Sequence, residues 1–167
     1  MMENNQELPS NFERLIALAD VVFDVKNDPG QLDVDQNVLA RLEEIHPDCV
    51  SEYADENGPA AWILMIPCTE KVMEDFLADR ISEKQLFEAS LPGQEFEAIY
   101  LCSALVLEEY RRKGIARQLS LQAIDNIRKE FPIKTLFVWA FSGEGLACAR
   151  RLSQESSLPL RMKAETG

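Results

Sequence analysis

The segment 111–117 gathers positive charge around two small residues, in a chain that is acidic overall. Its cations and small residues are Arg111, Arg112, Lys113, Gly114, Ala116 and Arg117. Gly114 allows a tight turn and the close approach of a ligand, because it has no Cβ. If a helix begins here, its unpaired amides and its dipole attract an anion such as phosphate. The segment therefore predicts an anion site, and the alternative is that the cations only decorate a solvent-facing turn.

Two strands and two helices are predicted around this segment. In chain order they are a strand at 98–107, a helix at 114–130, a strand at 136–141 and a helix at 145–154. Both strands are nearly continuous apolar runs, which is typical of strands covered on both faces. Phe131-Pro132 ends the first helix. Because a helical crossover joins the two strands, they should lie parallel in one sheet.

The rest of the chain predicts two helices, a β-hairpin, two further helices and a short final strand. Their ranges are 12–23, 38–45, 50–54 with 60–66, 69–79, 82–89 and 158–162. This order predicts an α/β domain with a mixed central sheet and flanking helices. We expect residues 1–9 to form a loose tail and residues 10–167 to form a single domain.

The charge balance restricts the classes of partner. The chain has 29 acidic and 17 basic residues and a formal net charge of −12, which disfavours a nucleic-acid partner because phosphates require a basic face. An acidic cleft attracts a cationic or amine-bearing partner, and the alternative is that the acidic surface only maintains solubility. No apolar run approaches the roughly 20 residues of a membrane span, and the polar start shows no secretion signal. We therefore expect a cytoplasmic protein without membrane contact.

The cysteines and the single histidine offer no metal cluster. The four cysteines lie far apart without a CxxC pair, at Cys49, Cys68, Cys102 and Cys148. This spacing favours reduced thiols over zinc ligands. His46 precedes Pro47, which is typical of a helix end rather than of a catalyst. The sequence therefore predicts a protein without a metal cofactor.

The pattern Arg111-x-x-Gly114-x-Ala116 resembles the Arg/Gln-x-x-Gly-x-Gly/Ala signature of the GNAT superfamily of acyl-CoA N-acyltransferases. The run-in from Val106 and the apolar stretch 136–140 resemble the fourth and fifth strands of that family, so the resemblance covers about residues 98–152. Other phosphate loops do not fit, because the chain has no GxxxxGK[ST] and no GxGxxG followed by a suitably placed acidic residue. The resemblance implies a GNAT-like fold.

The resemblance also implies that acetyl-CoA binds at this segment as cosubstrate, without a metal. The residues implied to hold it are Val106, Arg111, Arg112, Lys113, Gly114, Ile115, Ala116 and Arg117. Amides of the turn would bind the pyrophosphate, the pantetheine arm would lie between the two strands, and the amide of Val106 would polarise the thioester carbonyl. The acetyl group would then pass by direct attack to an amine of a small molecule or peptide. A homodimer is left open.

The resemblance is incomplete after residue 140. The family's usual asparagine and tyrosine acid are missing, with Arg150 or Arg151 at the tyrosine position and Ser142 and Cys148 as polar substitutes. The family's C-terminal hairpin is also expected to be truncated. Either a partner subunit completes the acceptor site, or the thiolate leaves without a dedicated acid. The alternatives to an active enzyme are a catalytically weakened CoA-binding or interaction module of the same fold and a structural protein without a CoA site.

Glu97, and second Glu95, are the candidates for a base that deprotonates the amine. They stand at the start of the 98–107 strand, where the family sometimes places its carboxylate, and the alternative is ordinary surface charge. With regular alternation, one face carries Glu97, Ile99, Leu101, Ser103 and Leu105. Glu97 would then reach an acceptor cleft on that face. The rest of the cleft would come from residues 30–95, including the helical segment 69–90, where the sequence shows no motif.

Overall fold

The computed structural model describes residues 10–26, 36–139 and 143–163. Its helices and strands in chain order are α1 (Asn11–Lys26), α2 (Gln36–Ile45), β1 (Val50–Asp55), β2 (Gly58–Cys68), α3 (Glu70–Leu77), α4 (Glu83–Ala89), β3 (Ala98–Val106), α5 (Ile115–Glu130), β4 (Thr135–Val138), α6 (Gly143–Ser156) and β5 (Leu160–Met162). Every helix and strand predicted from the sequence is present, with ends that shift by a few residues. The predicted tail at 1–9 lies outside the described residues.

The five strands form one mixed sheet in the order β1-β2-β3-β4-β5. The hairpin of β1 and β2 is antiparallel, β3 pairs antiparallel with β2, and β4 pairs parallel with β3. β5 then pairs parallel with β4. The mixed sheet and the parallel pairing across the α5 crossover are therefore confirmed.

Local capping explains where the short helices begin. The Thr69 hydroxyl accepts a hydrogen bond from the amide of Val72 at the start of α3. Ser82 and Gln85 form a reciprocal capping box at the start of α4. Such caps satisfy amides that have no partner within the helix. Gly114 precedes α5 and supplies no side-chain cap, which leaves the amides of its first turn available.

Helices cover both faces of the sheet. Leu15 of α1 packs against Leu105 of β3, and the ring of Phe76 on α3 packs against Tyr100 and Phe137. α5 contacts β2 and β3, as α1 does, but packs against α6 rather than against α1. α5 therefore lies on the opposite face from α1. α6 joins it there because consecutive right-handed crossovers that advance in one direction share a face.

A β-bulge interrupts β3 at Cys102. Leu64 pairs with Ser103 and the next residue, Met65, pairs with Leu101, so the register between the two strands skips Cys102. A bulge of this kind inserts one extra residue and shifts the alternation of side chains beyond it. One face of the sheet therefore carries even-numbered residues of β3 before the bulge and odd-numbered residues after it.

The bulge overturns one prediction about β3. Ser103 and Leu105 pair with Leu64 and Trp62 of β2. These two residues lie on the same face of β2 as Ile66, which pairs with Tyr100. Leu101 pairs with Met65, which lies on the other face. The prediction that Glu97, Ile99, Leu101, Ser103 and Leu105 share one face is wrong, because the extra residue turns Ser103 and Leu105 to the side of α1 and α3.

Candidate functional site

Among the described residues, the pairing of β3 with β4 stops before β3 ends, and the space beside the rest of β3 on that side is called the opening below. The two strands pair only from Ala98 to Tyr100 and from Thr135 to Phe137, although β3 continues to Val106. The amide of Leu107 donates to a carbonyl of β2 at 2.9 Å. Since successive peptide groups of a strand point to alternate edges, the amide of Val106 points to the edge facing β4. The β4-facing edge of β3 beyond Tyr100 thus lines the opening.

The turn between β3 and α5 lies at the same end of the sheet. Arg112 and Gly114 both adopt left-handed backbone conformations, with φ of 64° and 77°, on either side of Lys113. Backbone amides brought together by such conformations form concavities that bind anions. Among the described residues, an added Cβ at Gly114 would meet within 4 Å only the Arg117 guanidinium, at 3.9 Å. Glycine is therefore favoured here by the backbone conformation rather than by lack of space.

Two polar contacts fasten the loop before this turn to distant parts of the chain. The carboxylate of Glu109 accepts two hydrogen bonds from the Arg14 guanidinium of α1, at 2.6 and 2.7 Å. This pairing lowers the pKa of Glu109 to about 2. The Tyr110 hydroxyl donates to Asp55, at the end of β1, at 2.6 Å, and this bond lowers the pKa of Asp55. The turn is thus positioned by α1 and by the hairpin together.

Two of the predicted cations are already engaged within the protein. The Nε of Arg111 donates to the carbonyl of Val106 at 3.0 Å, which ties the start of the turn to the end of β3. The guanidinium of Arg117 pairs with Glu155 of α6 at 2.6 Å. These contacts position the turn and neutralise part of its charge.

The other two cations face solvent. The ammonium of Lys113 lies over the ring of Tyr110 at 5.7 Å from its centroid. The Arg112 side chain is exposed, and it makes no hydrogen bond or ion pair with the described residues. Lys113 and Arg112 are therefore the cations best placed to meet a bound anion, together with the amides of Ile115, Ala116 and Arg117.

The predicted bases lie away from the turn. Glu97 pairs with Lys134 at 3.3 Å, next to the start of β4, and Glu95 is exposed just before it. Val106 is nine residues beyond Glu97 along β3, which corresponds to roughly 30 Å of extended chain. The structure brings the turn and Val106 together, but it does not bring Glu97 or Glu95 to them.

The region of the missing tyrosine provides no obvious acid. Arg150 and Arg151 are exposed on α6, and an arginine stays protonated. Cys148 is half-buried, and burial raises the pKa of its thiol. Ser142 lies outside the described residues. His46 accepts a hydrogen bond from the amide of Asp48 at the end of α2, as its predicted helix-end role requires.

An aromatic cluster borders the opening, and sequence reasoning missed its role. The Phe76 ring of α3 lies 5.1 Å from that of Tyr100 and 6.1 Å from that of Trp139. Trp139 follows β4 directly. The sequence placed Trp139 within the apolar strand predicted at 136–141 and α3 within the segment expected to form the cleft, without linking the two. No motif links these residues, because they come from three separate segments.

Other features of the described residues lie apart from the turn. A surface cavity of about 460 Å³ between α5 and α6 is lined by Leu121, Gln122, Ile124, Asp125, Arg128, Glu155 and Ser156. Across the described ranges, no group of three or more His, Cys, Asp or Glu side chains is arranged to hold a metal ion. None of the helices described there is long and apolar enough to cross a membrane.

Comparison with known proteins gives a match at the level of structure. No protein-family model matches the chain, and a search of curated proteins finds no match. The NatB acetyltransferase complex bound to CoA and MES is similar over 81% of this chain and 78% of that chain, with a TM-score of 0.50 and 12% identity. Chaetomium thermophilum Naa20 in complex with a bisubstrate analogue is similar over 84% of this chain and 64% of that chain, with a TM-score of 0.50 and 16% identity. The expected fold is confirmed: this chain has the fold of the GNAT N-acetyltransferases.

Proposed function

We propose that this chain is an acyl-CoA-dependent N-acyltransferase that moves an acetyl group from acetyl-CoA to an amine of a small molecule or peptide. The observation that carries the proposal is the coincidence of two features at one end of the sheet. The pairing of β3 with β4 stops there among the described residues, and the uncapped start of α5 follows β3 with two left-handed residues before it. In a chain with the GNAT fold, this combination suits an extended ligand that ends in phosphates.

The residues of the turn would hold the anionic end of CoA. The amides of Gly114, Ala116 and Arg117 would donate to the pyrophosphate, and Arg112 and Lys113 would add positive charge from the solvent side. The amide of Ile115 would add to this set, and Arg111 would act mainly by shaping the turn. The free edge of β3 would bind the pantetheine arm as a sheet edge binds an added strand.

The amide of Val106 would act on the reacting carbonyl. It points toward the opening, as the hydrogen bond of the next amide to β2 requires. An amide fixed in this orientation stabilises the negative charge that develops on the carbonyl oxygen when an amine attacks. The amine must lose a proton, and the C–S bond must break as the new C–N bond forms. The leaving thiolate takes up a proton afterwards, because a thiol can leave as the anion near its own pKa.

A second candidate is a CoA-binding or interaction module with weak transfer activity. The observation that favours it is the pair of exposed arginines, Arg150 and Arg151, at the family's tyrosine position. It is further favoured by the position of Glu97 at the far end of β3. In either case the chain would act as one domain in the cytoplasm without a metal, and light scattering would test for a homodimer.

Titration with acetyl-CoA tests the proposal. Ligand at about 100 times its dissociation constant should stabilise the folded protein by roughly 2.7 kcal/mol, which appears as a rise in melting temperature. Release of free thiol with a panel of primary amines would then distinguish an enzyme from a binding module. A folded, ligand-free sample that shows no melting shift in millimolar acetyl-CoA would refute both candidates.

A further inference from the structure

Lys163 places a charged group in an unusual position just after β5. Its side chain is only 7% exposed, and its ammonium lies 3.1 Å from the carboxylate of Asp79. The same ammonium lies over two aromatic rings, at 4.5 Å from the centroid of Phe76 and 4.6 Å from that of Trp139. Two ring faces and one carboxylate thus surround a single primary ammonium group.

This arrangement is complementary to ammonium chemistry. A cation over an aromatic face is attracted by the ring quadrupole, and the attraction grows when the cation is shielded from water. The carboxylate of Asp79 adds a charge-assisted hydrogen bond. Asp79 itself is half-exposed, which leaves the cluster accessible from solvent on one side. Phe76, Asp79 and Trp139 are called the ammonium cage below.

The ammonium cage stands next to the opening between β3 and β4. Its Phe76 ring contacts both Tyr100 and Phe137, which form the last pair before the two strands separate. Its Trp139 lies two residues further along the chain from Phe137, where β4 has ended. The cage therefore borders the opening on the face covered by α3.

Contacts other than the side chain of Lys163 hold the end of β5 in place. The backbone amide of Lys163 donates to the carbonyl of Val138 at 3.0 Å. Arg161 of β5 forms a separate ion pair with Glu74 of α3. Neither contact involves the side chain of Lys163, so neither would be lost if that side chain left the cage.

We propose that the ammonium cage is a binding site for a primary alkylammonium group, and that Lys163 is its internal occupant. An external primary ammonium takes the same position when the side chain of Lys163 swings out. In a protein with the acyl-transfer function proposed above, on which this second step rests, the bound ammonium passes a proton to the carboxylate of Asp79. The neutral amine then attacks the thioester as the acceptor, while the thiolate leaves and takes up a proton. The substrate class is primary alkylamines rather than aromatic or secondary amines. Lys163 then competes with the substrate for its site.

The test is chemical rescue of Lys163→Ala with n-propylammonium chloride, which replaces the atoms that the substitution removes. The variant should melt below the wild type, and n-propylammonium should raise its melting temperature saturably. Sodium chloride at the same ionic strength and n-propanol should not. Lys129→Ala, which removes the partner of an exposed i,i+4 pair, is the matched control and should show no rescue.

Second substitutions show where the ammonium binds. Asp79→Asn or Trp139→Leu, combined with Lys163→Ala, should abolish the rescue. Lys163→Met keeps much of the side-chain bulk without the charge, and it should fold but not respond. If Lys163→Ala is unfolded in buffer, the same titration should restore its circular dichroism. An equal response to n-propanol, or rescue that survives both second substitutions, would overturn the assignment.

A kinetic measurement separates the cage from the proposed transfer activity. With acetyl-CoA and n-propylamine, Lys163→Ala should lower the KM for the amine by about tenfold relative to the wild type, with the Kd for CoA unchanged. A saturable rescue with an unchanged KM would refute the acceptor role of the cage. Absence of CoA binding in the wild type would instead refute the proposed function and leave the rescue as an independent result.

Discussion

Replacement of Gly114 tests the anion site at the backbone position where the turn depends most on glycine. Its φ of 77° is left-handed, and there a residue with a Cβ is disfavoured by about 1–2 kcal/mol, more if it is β-branched. Crowding adds little, because the nearest atom to an added Cβ is in the Arg117 guanidinium at 3.9 Å. Gly114→Ala should therefore lower the free energy of unfolding by about 1–2 kcal/mol, and Gly114→Val by more.

Gly93 supplies the matched control for this strain. Its φ is 89°, an added Cβ would meet no atom of the residues that the structure describes within 4 Å, and it lies in the loop before β3. Gly93→Ala should lose similar stability and keep wild-type affinity for CoA. The Gly114 substitutions place a Cβ beside the amides expected to meet the pyrophosphate, so their affinity should fall at least about tenfold, or about 1.4 kcal/mol. Arg112→Ala removes one exposed cation, and its affinity should fall by at most about fivefold.

Two measurements separate strain from binding. Urea denaturation gives the free energy of unfolding for each variant, and calorimetric titration with CoA gives the dissociation constant for those that circular dichroism shows to be folded. If Gly114→Val binds CoA as tightly as the wild type does, the pyrophosphate is not held by this turn. If Gly93→Ala loses as much affinity as Gly114→Ala, backbone strain alone accounts for the effect.

Further outcomes follow from the described contacts. Affinity for CoA should fall with added salt, since exposed cations are screened. Turnover should survive dialysis against a chelator. A loss of activity on dialysis that a divalent ion restores would contradict the prediction that no metal is needed. Glu97→Gln and Glu95→Gln should turn over at close to the wild-type rate, and a loss of about 10²–10⁴-fold in either would restore a carboxylate base. Because the pKa of Glu109 falls from 4.5 to about 2 on folding, its ion pair stabilises the protein above about pH 4.5 and this contribution is lost as pH falls toward 2. The stability difference between the wild type and Glu109→Gln in urea should therefore shrink over that window, and a constant difference would contradict the pairing. Tyr100→Phe should cost about 1–3 kcal/mol, because the buried Glu83 loses a donor at 2.5 Å; an unchanged midpoint in urea would show that this bond contributes nothing.

The fold was predictable because its signals are local. Apolar runs, caps such as Thr69 and Ser82, and breaks such as Phe131-Pro132 each depend on a few neighbouring residues. Because two strands joined by a helical crossover lie parallel in one sheet, the order of elements predicted that β3 and β4 are parallel. Their observed pairing confirms this prediction. The position of the turn followed in the same way, since Gly114 stands between a strand and a helix.

The contacts that complete the site were not predictable from spacing. The bulge at Cys102 has no marker such as glycine in the sequence, yet it turns Ser103 and Leu105 to the other face. Nothing in the spacing of Glu109 indicates its partner Arg14, which lies 95 positions away. The ammonium cage likewise joins α3, the end of β4 and the residue after β5, and side chains that meet only through tertiary packing leave no periodic pattern.

The acidic surplus of the chain is compatible with an anionic ligand because charge acts locally. At physiological salt the screening length is about 8 Å, so most of the net charge of −12 has little effect at the turn. Two acidic groups beside the turn are engaged, with Glu109 paired to Arg14 and Glu155 paired to Arg117. Arg112 and Lys113, together with the amides of the uncapped α5, then determine the sign of the local potential. Carboxylates that would repel CoA if they were unpaired serve instead to hold the turn in the shape that binds it.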